Sequence, residues 1–201
     1  HPVDRRQRQM CIRDRLRELN SYIKVPVTNT LMGLGVYPGT DKYFLGMLGM
    51  HGTYQANMAM HNADLILAIG ARFDDRITNT PSKFAPKAKI VHFDVDHSSV
   101  SKIIEADIAV FGQVKNSLQA INEKLKLESE EFDEGRFTDW HNQIADWRKS
   151  HGLNHELYLE VDDSKPILPQ AAVQHIYQAS DGKAFVTSDV GQHQMFAAQY
   201  Y

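Results

Sequence analysis

Four charged side chains crowd into five positions of this 201-residue sequence, directly after an apolar run at residues 65–69. They are Arg72, Asp74, Asp75 and Arg76. A guanidinium group binds a phosphate or a carboxylate through two parallel hydrogen bonds, and neighbouring carboxylates hold such an arginine in place. A solvated loop would be equally polar, but the density and position of the charges favour a site for a phosphate or a carboxylate.

A glycine-rich segment lies upstream of this cluster. Residues 48–52 have the sequence Leu-Gly-Met-His-Gly, and Thr53 follows them as a candidate helix cap. Glycines permit close backbone approach, and the N terminus of the next helix would present free N–H groups to a phosphate. The G-x-G-x-x-G spacing is missing, so an ordinary connection stays open as the alternative.

Asp94 ends the next apolar run and lies 24 positions after Gly70. This is close to the spacing at which an acid binds a ribose or ribityl hydroxyl in dinucleotide-binding folds. Asp96 and His97 follow and leave a metal site as an alternative, although no further ligands stand at a suitable spacing.

The ten histidines of the chain offer no recognisable acid–base motif, because H-E-x-x-H, G-x-S-x-G and a Cys–His pairing are all missing. We interpret His61 and His92 as structural. His193 is different, because it stands in a loop where a diphosphate would meet the N–H donors of the following helix.

The composition is that of a soluble globular protein, with 42% hydrophobic residues, 23% charged residues and a formal net charge of -3. It lacks the basic excess that nucleic-acid binding requires. The longest apolar stretch, residues 63–71, is interrupted by Asp64 and is far shorter than the roughly 20 residues of a membrane span. Cys11 is the single cysteine, so no internal disulfide forms and a cytoplasmic location is expected.

The first 17 residues include six arginines and are not preceded by an initiator Met. A basic arm for nucleic acid is one interpretation. We favour an arbitrary start or a foreign stretch, and predict that residues 1–15 are non-native or disordered.

Beyond residue 16, helical and extended patterns alternate, which predicts βα units around a parallel sheet in a Rossmann-like α/β fold. The apolar run at 65–69 is typical of a strand covered on both faces by helices. The predicted strands are 25–28, 65–69, 90–95, 108–111 and 184–187, and the predicted helices are 16–23, 53–62, 98–105, 114–125 and 171–179.

Residues 128–135 are polar and acid-rich, which predicts a domain boundary. We therefore expect a domain at 16–127 without its N-terminal strand, a linker and covering helix at 128–165, and a truncated second α/β domain at 166–201. An apolar stripe in the linker favours core packing over a bridge between domains; it consists of Phe137, Trp140, Ile144 and Trp147.

Four strings of this chain resemble the catalytic (large) subunits of the acetohydroxyacid (acetolactate) synthase family. They span residues 30–35, 46–53, 62–76 and 188–199, and the resemblance covers about residues 16–201. The combination of GMHG, RFDDR and VGQHQM separates this family from other thiamine-diphosphate enzymes. The resemblance implies the middle domain of such an enzyme and the start of its second thiamine-diphosphate domain.

The resemblance also implies the roles of individual residues. Arg76 is similar to the residue that binds the carboxylate of the acceptor 2-keto acid, and Met50 to part of the apolar wall of that pocket. Those similar to the contacts of a largely structural FAD are Thr30, Leu31, Met32, Leu48, Gly49, Met50, His51, Gly70, Ala71, Arg72, Asp74, Arg76, Asp94, Val95, Gln194 and Met195. Those beside the thiamine diphosphate are Val190, Gly191, Gln192 and His193.

By the same resemblance, the parent enzyme decarboxylates pyruvate and adds the resulting two-carbon unit to pyruvate or 2-oxobutyrate, in branched-chain (isoleucine and valine) biosynthesis. Its cofactors are thiamine diphosphate, Mg²⁺ and FAD, and its catalytic subunits form a homodimer that binds a small regulatory subunit.

Several features of the family are expected outside this chain. Its catalytic glutamate and magnesium motif are among them, so the fragment alone is expected to be inactive, with no catalytic or metal-binding residue. Part of the flavin site should precede Leu16, and Gln113 stands where the family more often has Asp. The alternatives are a pyruvate oxidase-like thiamine-diphosphate flavoenzyme with a redox-active flavin, and a stand-alone nucleotide-binding module.

Overall fold

The computed structural model of the chain describes residues 2–128, 134–153, 155, 164 and 166–201. Within these ranges the strands are β1 (Val27–Asn29), β2 (Phe44–Met47), β3 (Leu65–Ile69), β4 (Lys89–Asp94) and β5 (Ile108–Phe111). The α-helices are α1 (Pro2–Ile23), α2 (Tyr54–Asn62), α3 (Asp75–Thr78), α4 (Val114–Leu127), α5 (Thr138–His151), α6 (Pro169–Ala179) and α7 (Gln192–Tyr200).

The strands form two parallel sheets, which confirms the predicted α/β class. In the larger sheet the order is β3-β4-β5, and Leu67, Val91 and Ile108 are neighbours across it. In the smaller sheet β1 pairs with β2. The sequence did not predict β2, because Gly46 interrupts its apolar pattern with a positive φ of 93°.

The larger sheet is covered less completely than predicted. On β3 the side chains of Ile66 and Ala68 are buried, whereas Leu65 and Leu67 on the opposite face are exposed. The prediction that both faces of this strand are covered is therefore wrong. A continuous apolar run is compatible with burial on both faces, but it does not supply the helix that would cover the second face.

Two hydrophobic clusters hold the elements together. One joins β2, α2 and α5 through Leu45, Leu48, Ala56, Ala59 and Ile144, with Trp140 and Trp147 packed against it. This confirms core packing for three members of the predicted stripe. The other lies beneath β3 and β4 and contains Ile66, Ala68, Phe73, Ala85 and Ile90.

Two predicted elements are missing from the structure. Residues 98–105 form turns rather than a helix, and Ser101 there adopts a positive φ of 56° that a helix does not tolerate. Residues 184–187 form no strand, because no described strand lies beside them to complete a ladder; Phe185 is 91% exposed.

The sequence analysis predicts that residues 1–15 are non-native or disordered, whereas helix α1 extends through residue 15. The described side chains of this helix contact α4. Asn122 donates to the Arg15 carbonyl at 2.9 Å and to a Glu18 carboxylate oxygen at 3.0 Å. The described part of the N-terminal segment is thus helical, while its native origin and the division into domains stay predictions. Residues 129–133, 154, 156–163 and 165 of the expected linker lie outside the described ranges.

Candidate functional site

The candidate residues of the central segments follow the carboxyl ends of parallel strands, β1 and β2 in the smaller sheet and β3 and β4 in the larger one. We call residues 30–32, 48–51, 70–76 and 94–95 the carboxyl edge. These residues follow β1, β2, β3 and β4 respectively, or end β4 in the case of Asp94. The structure therefore collects segments that are separated by up to 60 residues of chain.

Backbone hydrogen bonds connect the segments of the carboxyl edge. The N–H of Leu48 donates to the carbonyl of Asn29 at 3.1 Å, next to residues 30–32. The N–H of Met50 donates to the Arg76 carbonyl at 2.8 Å, and that of Gly70 to the Phe93 carbonyl at 2.8 Å. These bonds link the glycine-rich residues 48–51 to the end of β1 and to residues 70–76, and residues 70–76 to the end of β4, so the four segments are held near one another.

The glycine loop, residues 48–52, owes its shape to Gly49. This residue has a φ of 100°, and a Cβ atom on it would lie 2.5 Å from the Arg76 carbonyl oxygen. Asn57 clamps it from α2: its Oδ1 accepts from the Gly49 N–H at 2.8 Å, and its Nδ2 donates to the Gly49 carbonyl at 2.9 Å. The loop needs glycine here for both conformation and space.

Helix α2 begins as the sequence predicted. Thr53 is its N-cap, and its side-chain oxygen accepts from the Ala56 N–H. The same hydroxyl donates to the Leu45 carbonyl at 2.6 Å. The cap thus ties the start of the helix to β2 and fixes the loop between them.

The charged loop, residues 70–76, has a buried anchor and exposed charges. Phe73 points into the core and is 4% exposed. Arg72 forms an ion pair with Asp74 at 2.9 Å, yet its side chain stays 68% exposed. The Arg76 guanidinium lies 4.0 Å from Asp75 and is also exposed. Two guanidinium groups are therefore available to an anionic ligand at the edge of the sheet.

The Asp94 side chain lies at the same edge and is only 11% exposed. Its Oδ1 accepts from the Asp96 N–H at 2.8 Å, and its Oδ2 lies 4.0 Å from Nε2 of the buried His92. The Asp94 carbonyl accepts from the N–H of Gly112, beyond β5. The acid is thus held by its neighbours at the position predicted for a hydroxyl contact.

The two residues behind the metal alternative have protein partners. Hydrogen bonds from the hydroxyl and N–H of Ser98, and then from the Ser99 hydroxyl, keep the pKa of Asp96 below its usual value. His97 stacks on Phe111 with ring centroids 4.0 Å apart. The described residues contain no group of three or more His, Cys, Asp or Glu side chains suited to a metal ion.

Open space and exposed apolar side chains leave the carboxyl edge accessible to a ligand. A Cβ atom on Gly70 would meet no heavy atom within 4 Å, and the same is true of Gly112 after β5. Three large apolar side chains of the edge are exposed, namely Met32, Met50 and Val95. Exposed apolar groups beside guanidinium and carboxylate groups match the mixed surface of an isoalloxazine, ribityl and diphosphate chain.

The C-terminal helix reaches the glycine loop. Helix α7 begins at Gln192, immediately after Val190 and Gly191, so His193 lies in its first turn and not in the preceding loop where the sequence placed it. From its last turns, Gln199 donates to the His51 carbonyl at 2.9 Å. The structure therefore brings the fourth string to the carboxyl edge, through a residue that the sequence did not single out as a contact.

The sequence of this chain matches a known protein family. The family described as "Thiamine pyrophosphate enzyme, central domain" matches residues 5–121. The chain belongs to the thiamine pyrophosphate enzymes. The match includes the glycine loop, the charged loop and Asp94, but not residues 190–193. It also begins inside the segment that we expected to be foreign, whose origin it does not decide.

Three relatives of this thiamine pyrophosphate enzyme chain are acetolactate synthases by name. It is 46% identical over 186 residues to "Acetolactate synthase isozyme 3 large subunit" of Escherichia coli (strain K12), covering 92% of the chain and 32% of that protein. The chain is 46% identical over 191 residues to "Acetolactate synthase large subunit" of Haemophilus influenzae, which covers 94% of the chain and 32% of that protein. It is 42% identical over 188 residues to "Acetolactate synthase 1, chloroplastic" of Oryza sativa subsp. japonica (94% and 28%). The chain thus spans about a third of these relatives.

No helix within the described ranges combines the length and the apolar character needed to cross a membrane.

Proposed function

We propose that the chain is the FAD-binding middle part of an acetolactate synthase large subunit, followed by the start of its second thiamine-diphosphate domain. The observation that carries this proposal is the carboxyl edge, where backbone hydrogen bonds connect the glycine loop, the charged loop and the ends of β1 and β4, and where Gly70 borders open space. The names of the relatives, at 42–46% identity over most of the chain, support the same enzyme.

The carboxyl edge would hold FAD through three kinds of group. Arg72 supplies a cation for the diphosphate, Asp94 supplies an acceptor for a hydroxyl, and the glycine loop supplies backbone at close range. The remaining proposed contacts are the other residues similar to family contacts, namely Thr30, Leu31, Met32, Leu48, Gly49, Met50, His51, Gly70, Ala71, Asp74, Arg76, Val95, Gln194 and Met195. In this proposal the flavin is largely structural.

Residues 190–193 would lie beside thiamine diphosphate, which supplies an electron sink for the decarboxylation of pyruvate. The start of α7 at Gln192 suits this role, because the first N–H groups of a helix have no acceptor within it. Mg²⁺ belongs to the proposed full-length protein, and we assign none of its ligands to this chain.

Arg76 and Met50 would form the acceptor end of the substrate site. The Arg76 carbonyl accepts from the Met50 N–H at 2.8 Å, so the two residues are fixed beside one another while their side chains stay exposed. A guanidinium group binds the carboxylate of a 2-keto acid in a bidentate manner, and a methionine offers an adaptable apolar wall.

The proposed full-length protein converts two pyruvates, or pyruvate and 2-oxobutyrate, into 2-acetolactate or 2-aceto-2-hydroxybutyrate with release of CO₂. We propose that its catalytic subunits form a homodimer with a small regulatory subunit in the cytoplasm. No feature of the described residues favours the pyruvate oxidase-like enzyme or the stand-alone nucleotide-binding module.

Replacement of Arg76 by lysine in the full-length protein tests the substrate assignment. Lysine keeps the charge but loses the bidentate geometry, so kcat/KM for the acceptor 2-keto acid should fall about tenfold or more. The exposed Arg17→Lys on α1 is the matched control and should leave the kinetics unchanged. Unchanged acceptor kinetics in Arg76→Lys would remove Arg76 from the site, and a strict need for an electron acceptor would favour the oxidase.

A further inference from the structure

His92 occupies a position that packing alone does not explain. Its side chain is fully buried on β4, and neither ring nitrogen has a hydrogen-bond partner among the described residues. The residues beside it in register are Ala68 on β3 and Ala109 on β5. Burying an imidazole without a partner is unfavourable, so an apolar residue would be the better choice at a purely structural position.

One carboxylate lies close to this ring. Asp94 is two residues further along the same strand, so both side chains lie on the same face of the sheet. Its Oδ2 is 4.0 Å from His92 Nε2, about 1 Å beyond a hydrogen bond. Phe73 packs against the ring at right angles, with centroids 5.2 Å apart. A small rotation of the Asp94 side chain would bring its free oxygen to the imidazole.

The two oxygens of Asp94 have different surroundings. Oδ1 already accepts the Asp96 N–H at 2.8 Å, whereas Oδ2 has no donor closer than His92 among the contacts described. A carboxylate that binds a ligand hydroxyl must keep a fixed orientation, and this requires both ends of the group to be held. The unpartnered N–H of His92 is placed to hold the second end.

We propose that His92 is a positioning residue of the flavin site: once the Asp94 side chain rotates toward the ring, Nε2–H donates to Asp94 Oδ2 and fixes the carboxylate for a ribose or ribityl hydroxyl of the cofactor. The inference rests on the proposed FAD-binding function. It replaces the purely structural role that the sequence suggested for His92, and it assigns His92 no contact with the cofactor itself.

A double-mutant cycle in the full-length protein tests this inference. The FAD dissociation constant is measured by flavin fluorescence for the wild type, His92→Phe, Asp94→Asn and the double variant. His92→Phe keeps an aromatic ring but removes the donor, so FAD should bind about tenfold more weakly. The double variant should bind no more weakly than Asp94→Asn alone, because His92 acts through Asp94.

A conservative variant separates positioning from packing. His92→Gln places an amide donor near the position of Nε2, so it should bind FAD within about threefold of the wild type despite a changed shape. The apolar His92→Phe should unfold in urea at the same or a higher concentration than the wild type. Weak binding would then come from lost orientation rather than from lost folding.

Three results would overturn the inference: wild-type affinity in His92→Phe, effects of the two single variants that multiply in the double variant, or no recovery in His92→Gln.

If His92→Phe does not fold, ¹⁵N spectra of the flavin-bound protein decide instead. Asp94→Asn should shift the His92 ring nitrogens, and unchanged signals would contradict the contact. A wild type that binds no FAD would refute the proposed function itself, before any variant is compared.

Discussion

The glycine loop and the charged loop lie against each other at the carboxyl edge, but they are held in opposite ways. Gly49 is fixed through its backbone, by the amide of Asn57 and by close contact with the Arg76 carbonyl. In the charged loop one aromatic anchor, Phe73, is buried while the guanidinium groups remain exposed. Shape is therefore set mainly by the first loop, and charge is presented by the second.

This difference separates two kinds of residue in the site. A change in the glycine loop should lower the free energy of unfolding and weaken binding together, because the loop supports its neighbour through the bond from Met50 to Arg76. A change of an exposed charge should weaken binding while stability stays the same. Variants in either loop test this difference.

The largest effect is expected for Gly49→Ala. The new Cβ atom would lie 2.5 Å from the Arg76 carbonyl oxygen at a φ of 100°, so strain and overlap together should cost about 2–5 kcal/mol of unfolding free energy. Urea unfolding measures it. Gly70→Ala has a positive φ but open space and should cost only about 1–2 kcal/mol. Equal losses at the two positions would show that overlap does not matter.

A smaller effect is expected for Asn57→Ala. This variant leaves the N–H and carbonyl of Gly49 without their side-chain partners, so unfolding should become easier by about 1–3 kcal/mol. Asn62→Ala on the same helix is the control, because that exposed side chain bonds only to the Met58 carbonyl within the helix. If both variants lose the same stability, the clamp on the loop is not the cause.

The sequence predicts the parts of the fold that local patterns encode. Strand β3 and strand β5 were predicted with their observed bounds, and the Thr53 cap was predicted correctly, because local patterns encode them. Strand β2 was missed because Gly46 interrupts its apolar pattern. The predicted helix at 98–105 failed because local hydrogen bonds to Asp96 favour turns.

The candidate site also contains residues that the sequence reveals and residues that only the structure reveals. Its charged and glycine-rich members were visible as strings, and parallel strands explain why they meet at one edge. Asn57, His92 and Gln199 were not visible as supporting residues. Their roles depend on partners that only the folded chain brings near, such as the His51 carbonyl 148 positions away from Gln199.

The smallest effect on stability, with a clear effect on binding, is expected for Asp74→Asn. The Arg72–Asp74 pair is exposed, so its loss should change the unfolding free energy by less than about 0.5 kcal/mol. FAD should nevertheless bind more weakly, because Arg72 loses the carboxylate that orients it toward the diphosphate. Asp75→Asn is the matched control, since Asp75 is more exposed and lies 4.0 Å from Arg76. If both variants weakened FAD binding equally, net charge rather than the orientation of Arg72 would govern the site, and the division between a shaping loop and a binding loop would need a different physical basis.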